Sequence, residues 1–258
     1  MADLRNLQSR MGAGAGTRTG ADVDQGLRSY MLRVYNIMAL GLALTGFAAL
    51  GTLMVTVSDQ PTQYAIHGGL YLTQAGAVLY GSPLRWVVMF APLAMVFWLG
   101  FRIQNMSVTK AQTVFGVYAA LMGLSLSSIF LVFTGESIVQ TFFISATAFG
   151  ALSLYGYSTK RDLSPVGSFL IMGVFGLFIA MIVNIFLQSS ALAFAISAIG
   201  VVIFAGLTAY DTQQIKEMYY EGDSDTVAGH KAVMGALRLY LDFINLFMFM
   251  LQLLGNRR

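Results

Sequence analysis

Apolar stretches long enough to cross a membrane recur through most of the chain. About 20 consecutive apolar residues span the hydrocarbon core of a bilayer as an α-helix. The chain has seven such stretches, at residues 34–57, 85–101, 111–133, 138–157, 166–187, 191–210 and 232–254. Only 10% of the 258 residues are charged, whereas a soluble protein of this size needs a charged surface to stay dissolved. The sequence therefore predicts an all-α membrane protein with seven transmembrane helices.

Three segments outside the apolar stretches are long, and one of them, residues 212–231, is hydrophilic and predicts a loop between the sixth and seventh spans. Residues 1–30 are polar and lack an apolar period, so we predict a flexible cytoplasmic tail there, with residues 31–258 as the transmembrane domain. The connection at 58–84 contains several Gly and Pro residues and is half apolar in its middle. This composition predicts either a short interfacial helix or a hairpin, and it does not distinguish the two.

Lys and Arg are distributed unevenly between the two sides that seven spans define. Eleven of the fifteen lie in the N-terminal segment and in the loops on its side, whereas three lie on the opposite side. By the positive-inside rule, the N-terminus is cytoplasmic and the C-terminus is outside. Because these basic residues stand singly at span ends, the net charge of +3 does not indicate a nucleic-acid-binding patch.

The last apolar stretch carries polar residues on one helical face. The spacings between them are four, three and seven residues, and the residues are Arg238, Asp242, Asn245 and Gln252. Such spacings place side chains above one another on an α-helix. A polar stripe that faces lipid is costly, so we expect this helix to be enclosed by the others.

Asp242 needs a partner, because an unpaired charge near the middle of a span costs about 3 kcal/mol. Arg238, one turn earlier, would form an ion pair with it and keep the carboxylate ionised as a static bridge. Asp211, after the sixth stretch, would instead share a proton with it, since two carboxylates in a low-dielectric site do not both ionise. Loss of that proton would separate the helices and expose oxygen ligands for a cation. A third interpretation is a carboxylate that only anchors the fold.

The other polar residues of the spans point to packing rather than to chemistry. Asn184, Asn245, Gln252 and the serines of the third stretch are residues of the kind that form interhelical hydrogen bonds. The two histidines stand in connections without partner ligands and the chain has no cysteine, so we expect no metal centre. No nucleotide-binding loop or nucleophile motif is present. We therefore expect a protein that is not an enzyme and has no tightly bound cofactor.

Two motifs resemble the signature of the Bax inhibitor-1 family, and most closely its bacterial inner-membrane branch. GLTAYDTQQIK at 206–216 contains Asp211, and LYLDFINLFMFMLQLLGNRR at 239–258 contains Asp242. SLYGYSTKRDLS and GLSLSSIF, earlier in the chain, are also similar to that branch. The resemblance implies a bundle of seven helices in a bacterial cytoplasmic membrane, with the last helix surrounded by two groups of three.

The resemblance also implies a pH-sensitive calcium leak, in which Asp211 and Asp242 hydrogen-bond to each other and govern a closed and an open form. In some members an arginine directly after the aromatic pair of the second helix pairs with these aspartates. Here the aromatic pair at 97–98 is followed by Leu99, and the nearest basic residue is Arg102. The gating contacts are therefore expected to differ in detail.

We predict a calcium leak channel that is gated by protonation of Asp211 and Asp242, which would bind calcium only in transit. Arg238, Arg102 and Asn245 are the predicted supporting residues. The expected partners are calcium, protons, membrane lipid and a possible membrane protein, without nucleic acid. One alternative is a non-conducting regulator that binds a membrane protease or a stress-response partner, and another is a proton-coupled cation exchanger.

Overall fold

Seven helices long and apolar enough to cross a membrane lie within residues 20–58, 60–66 and 70–258, the part of the chain that the computed structural model describes. In chain order the elements are α1 (Gly20–Thr56), β1 (Val57–Ser58), β2 (Tyr71–Leu72), α2 (Gln74–Gly81), α3 (Leu84–Arg102), a 3-10 turn (Ile103–Asn105), α4 (Val108–Leu126), α5 (Ile129–Val132), α6 (Gly135–Ser158), α7 (Ser164–Leu187), α8 (Ser190–Glu217) and α9 (Asp225–Leu254). The third span consists of α4 and α5 together. The predicted class, an all-α protein with seven transmembrane helices, is confirmed.

The last helix, α9, is the centre of the bundle. Of the 18 consecutive residues that are most apolar in α9, 56% are buried, whereas the corresponding share in the other six spans is 11% to 39%. It packs against α1, α4, α6 and α8. Helices α1 and α3 pack on α4 to form one group of three, and α6 and α7 pack on α8 to form the other. The expected arrangement of a central last helix between two groups of three is therefore present.

The first helix is longer than the predicted span. It begins at Gly20, so residues 20–30 of the predicted flexible tail are helical, while residues 1–19 lie outside the described residues. Tyr30 is buried, and its ring centre lies 5.7 Å from that of Tyr219 in the α8–α9 connection. This tertiary contact stabilises the first turns of α1, which precede the apolar stretch at residues 34–57.

The sixth helix also continues beyond its apolar stretch, which places Asp211 inside the helix rather than at its end. α8 ends at Glu217, and the long polar loop predicted before α9 is reduced to residues 218–224. The buried side chain of Gln213 accepts the N–H of Leu163 and donates to the carbonyl of Arg161, both at 2.8 Å. Polar residues extend α8 because the α6–α7 link supplies their hydrogen-bond partners.

The connection between α1 and α3 contains both of the structures that the sequence left open. The strand β1 pairs antiparallel with β2, and the short helix α2 follows directly. The Thr73 hydroxyl caps α2 by accepting the N–H of Gly76 at 3.1 Å. A Cβ at Gly76 would collide with the carbonyl oxygen of Thr56, so a glycine is required for α2 to approach the end of α1.

The third span is broken at Ser127 and Ser128, between α4 and α5. A break inside a membrane helix frees carbonyl groups, which then need other donors. The Ser127 hydroxyl donates to the carbonyl of Leu124 at 2.6 Å, and the Ser128 hydroxyl donates to that of Ser125 at 3.1 Å. The Ser127 hydroxyl also accepts the hydroxyl of Tyr80 in α2 at 2.7 Å, which is an interhelical hydrogen bond of the predicted kind. The Ser128 hydroxyl satisfies the broken helix itself, because the freed carbonyl is its nearest acceptor.

The residues after α9 pair with the link between α5 and α6. The N–H of Thr134 donates to the carbonyl of Asn256, and the N–H of Arg258 donates to the carbonyl of Val132, both at 3.0 Å. The link that they bind connects the two groups of three. The central helix is therefore held at this end by backbone hydrogen bonds as well as by packing.

Candidate functional site

Asp211 of α8 and Asp242 of α9 meet inside the bundle. Their carboxyl groups are within hydrogen-bonding distance of each other. Asp242 is only 4% exposed, and no N–H or hydroxyl of another described residue donates to its Oδ2 atom. Two ionised carboxylates repel each other, so their contact becomes a hydrogen bond only when one of them carries a proton. The geometry is that of a pair able to share one proton.

Arg238 lies near both carboxyl groups, and the described residues show no ion pair between it and either of them. It stands one helical turn before Asp242, is half-buried, and its positive charge acts on both aspartates. The close ion pair near this end of α9 joins Lys231 to Asp223 instead. Of the two pairings that the sequence left open, the structure thus brings the aspartates together and leaves Arg238 as a neighbouring charge.

The structure does not bring the other two predicted supporting residues to the pair. Arg102 is the exposed last residue of α3, a helix that packs on α4. Asn245 follows Asp242 on α9, but its amide donates to the carbonyl of Leu241 in the same helix at 2.8 Å. In apolar surroundings an unpaired side-chain amide is energetically costly, and the carbonyl one turn earlier in the helix is its nearest acceptor.

The remaining polar residues of the spans divide between packing and turn formation. Gln252 of α9 accepts the hydroxyl of Ser197 of α8 at 2.9 Å, an interhelical hydrogen bond as predicted. Asn184 was expected to act in the same way. Its side chain instead accepts the backbone N–H of Ser189 at 3.0 Å, which closes the tight turn between α7 and α8.

A chain of hydroxyl groups, which the sequence did not reveal, starts at the residue next to Asp211. The Thr212 hydroxyl donates to the carbonyl of Thr208 at 2.7 Å. Ser153 must therefore donate to Thr212 at 2.9 Å, and Tyr35 to Ser153 at 2.6 Å, since each hydroxyl has one proton. This chain of hydroxyl groups joins α1 of one group of three to α6 and α8 of the other. Relative movement of the two groups would therefore change the distances between these hydroxyls.

Tyr35→Phe is expected to lower the stability of the folded protein by about 1 kcal/mol, because it removes the hydrogen bond between the two groups of three. The measurement is thermal unfolding of the purified protein in detergent. Tyr155→Phe is a suitable control, because Tyr155 lies on α6 and is 49% exposed. An equal loss of stability in both variants would contradict the assigned role of the hydroxyl chain.

The pair has few of the ligands that a resident metal ion requires. Within the part of the chain that the structure describes, no three His, Asp or Glu side chains are grouped to hold a metal ion. Calcium is bound tightly by six to eight oxygen atoms. The two carboxyl groups alone, with four oxygen atoms, fall short of that number.

Comparison with known proteins assigns the chain to a family. Residues 27–258 match the family model described as inhibitor of apoptosis-promoting Bax1. An uncharacterized protein of Rickettsia prowazekii is 51% identical over 237 residues, which cover 91% of this chain and 92% of that protein. The inner membrane protein YbhL of Escherichia coli is 44% identical over 236 residues, which cover 90% and 94%. The match includes the helices that carry both aspartates, and the chain belongs to the Bax inhibitor-1 family.

Proposed function

We propose that the protein is a pH-sensitive calcium leak channel, closed while Asp211 and Asp242 share a proton and open once the pair has lost it. The observation that supports this proposal is the carboxyl contact between α8 and α9, in which Oδ2 of Asp242 has no N–H or hydroxyl donor among the described residues. At a separation of about 4 Å and an effective dielectric constant of about 20, two unit charges repel by about 4 kcal/mol. That energy favours separation of the two helices.

Separation of α8 from α9 would expose the ligands that a passing cation needs. The two carboxylates supply four oxygen atoms, and backbone carbonyls add to them. Because this set is smaller and less ordered than the six to eight oxygens of a tight calcium site, it suits passage rather than storage. Movement of α8 would also act on the hydroxyl chain that starts at Thr212 and ends on α1.

The proposal places the N-terminus in the cytoplasm and the C-terminus outside, in a bacterial cytoplasmic membrane. The distribution of Lys and Arg supports this orientation, and the E. coli relative YbhL is named as an inner membrane protein. Asp211 lies six residues before the end of α8, or about 9 Å along the helix. In this orientation the pair is close to the cytoplasmic side, where protons of the cytoplasm reach it by a short path.

Calcium uptake into proteoliposomes, measured with an enclosed calcium indicator, tests this function. Uptake is expected to be several-fold faster at about pH 8 than at about pH 6, because loss of the shared proton favours the open form. Protein-free liposomes of the same lipid control for leakage. Equal uptake at the two pH values would contradict the proposal. Accumulation against a calcium gradient would indicate an exchanger, and absence of flux together with a co-purifying membrane protein would indicate a regulator.

Arg238→Gln is expected to shift the uptake curve toward higher pH by about one unit, because a positive charge that stabilises the ionised pair is lost. The measurement is uptake as a function of pH in the same liposomes. Arg33→Gln is the matched control, since Arg33 is an exposed residue of α1. Superimposable curves for Arg238→Gln and the native chain would show that this charge does not act on the gate.

A further inference from the structure

A groove of about 510 Å³ opens between α1 and α6, and its volume is typical of ligand sites, which occupy about 300 to 1,000 Å³. Its walls are mainly apolar side chains from both helices, among them Leu32 and Phe149. Its inner end carries Tyr35 and Ser153, which belong to the hydroxyl chain. The groove therefore lies at the boundary between the two groups of three.

One basic residue lies at the mouth of the groove and a second contacts a residue of its lining. Arg28 is exposed there and forms part of the lining. Lys216 donates to the carbonyl of Tyr157, another lining residue, at 2.8 Å, and lies 5.2 Å from the centre of its ring. No acidic residue lines the groove within the described part of the chain. Asp162, in the neighbouring α6–α7 link, is not part of the lining. Its carboxylate accepts the N–H of Ser164 at 2.8 Å, and this backbone hydrogen bond lowers the pKa of Asp162.

The two helices define how deep the groove is. Arg28 and Tyr35 are seven residues apart on α1, which corresponds to about 10 Å, and Phe149 and Tyr157 are eight apart on α6, or about 12 Å. The groove is not filled beside Gly150 of α6, because a Cβ added to this residue would meet no atom within 4 Å. This depth reaches from the headgroup level of a bilayer into the first part of its acyl chains.

We propose that this groove binds an anionic phospholipid, with the phosphate on Arg28 and one acyl chain along the apolar walls. The groove opens on the outer surface of two transmembrane helices, which favours a lipid over a soluble ligand. Arg28 at its mouth is basic, and among the described residues its lining has no carboxylate for an ammonium headgroup, which favours an anionic lipid over a zwitterionic one. The lipid fills space between the two groups of three, so its binding stabilises their association.

Thermal unfolding of the full chain in neutral detergent tests the proposal, with lipid retention followed by native mass spectrometry. Phosphatidylglycerol is expected to be retained and to raise the unfolding midpoint by about 3 °C or more at saturation. Phosphatidylcholine and inorganic phosphate are expected neither to be retained nor to raise the midpoint. Arg28→Gln is expected to bind phosphatidylglycerol about fivefold more weakly, the effect of one basic residue near an anionic lipid. Arg33→Gln, exposed on another face of α1, is expected to bind as the native chain does.

A second pair of variants tests the acyl-chain part of the groove. Gly150→Leu places an apolar side chain in the groove, where its Cβ meets no atom within 4 Å, and is expected to abolish both phosphatidylglycerol retention and the rise in midpoint. Gly176→Leu is the control, because a Cβ there also meets no atom within 4 Å but the residue lies on α7. Undiminished binding by Arg28→Gln and Gly150→Leu, or equal stabilisation by phosphatidylcholine, would overturn the proposal. Stabilisation by inorganic phosphate alone would overturn it too and assign a free anion to Arg28.

Discussion

Calcium uptake through the Asp242→Asn variant is expected to lose its pH dependence and to stay at the low rate of the native chain near pH 6. Asparagine does not ionise, but its amide can donate a hydrogen bond to Asp211, so it imitates the protonated pair. The variant therefore lacks the repulsion of about 4 kcal/mol that favours opening, which corresponds to about a thousandfold change in the ratio of open to closed forms. Uptake at about pH 8 is therefore expected to fall several-fold, to the rate of the native chain near pH 6.

The same result is expected for Asp211→Asn, because either substitution leaves a single ionisable group in the site. Both variants are measured in proteoliposomes at the two pH values, beside Glu217→Gln. Glu217 is an exposed carboxylate at the end of α8, so its loss controls for a general change of charge near the site. If uptake by both aspartate variants keeps the native pH dependence, the pair is not the gate, even for a protein that conducts calcium.

Gly156→Val is expected to unfold at a clearly lower temperature than the native chain. A Cβ at Gly156 of α6 would collide with the carbonyl oxygen of Ala209 in α8, and it would lie 2.8 Å from the carbonyl carbon. Because these atoms belong to the backbone, they cannot rotate away and the two helices must separate. Overpacking of this kind costs about 1 to 3 kcal/mol for one added group, and valine adds more than one. A fall of about 5 °C or more in the unfolding midpoint is expected.

Gly150→Ala on the same helix is the matched control for this effect. A Cβ at Gly150 meets no atom within 4 Å, so only the difference in helix propensity, which favours alanine by about 1 kcal/mol, remains. Its unfolding midpoint is expected to equal or exceed that of the native chain. Equal midpoints for Gly156→Val and Gly150→Ala would contradict the close contact of α6 with α8 at Gly156 and Ala209.

The number of spans and the position of the two aspartates were predictable, because hydrophobic length and an isolated charge are local properties of the chain. The helix ends were less so. Gln213 is polar and was assigned to a loop, but partners 50 and 52 residues away keep it inside α8. Ser127 and Ser128 read as small packing residues, and nothing local shows that the helix breaks at them. Hydropathy records how polar a residue is, and not which partners the fold supplies.

The sequence alone determined that Asp242 requires compensation, that Arg238 is one turn away on the same helix, and that Asp211 ends the sixth apolar stretch. Only the tertiary structure decided between the two partners, by packing α8 against α9 so that the carboxyl groups meet. The cost of burying a charge belongs to one residue and its local surroundings. Its compensation depends on the groups that other helices bring within hydrogen-bonding distance, and that distance is a property of the packed bundle.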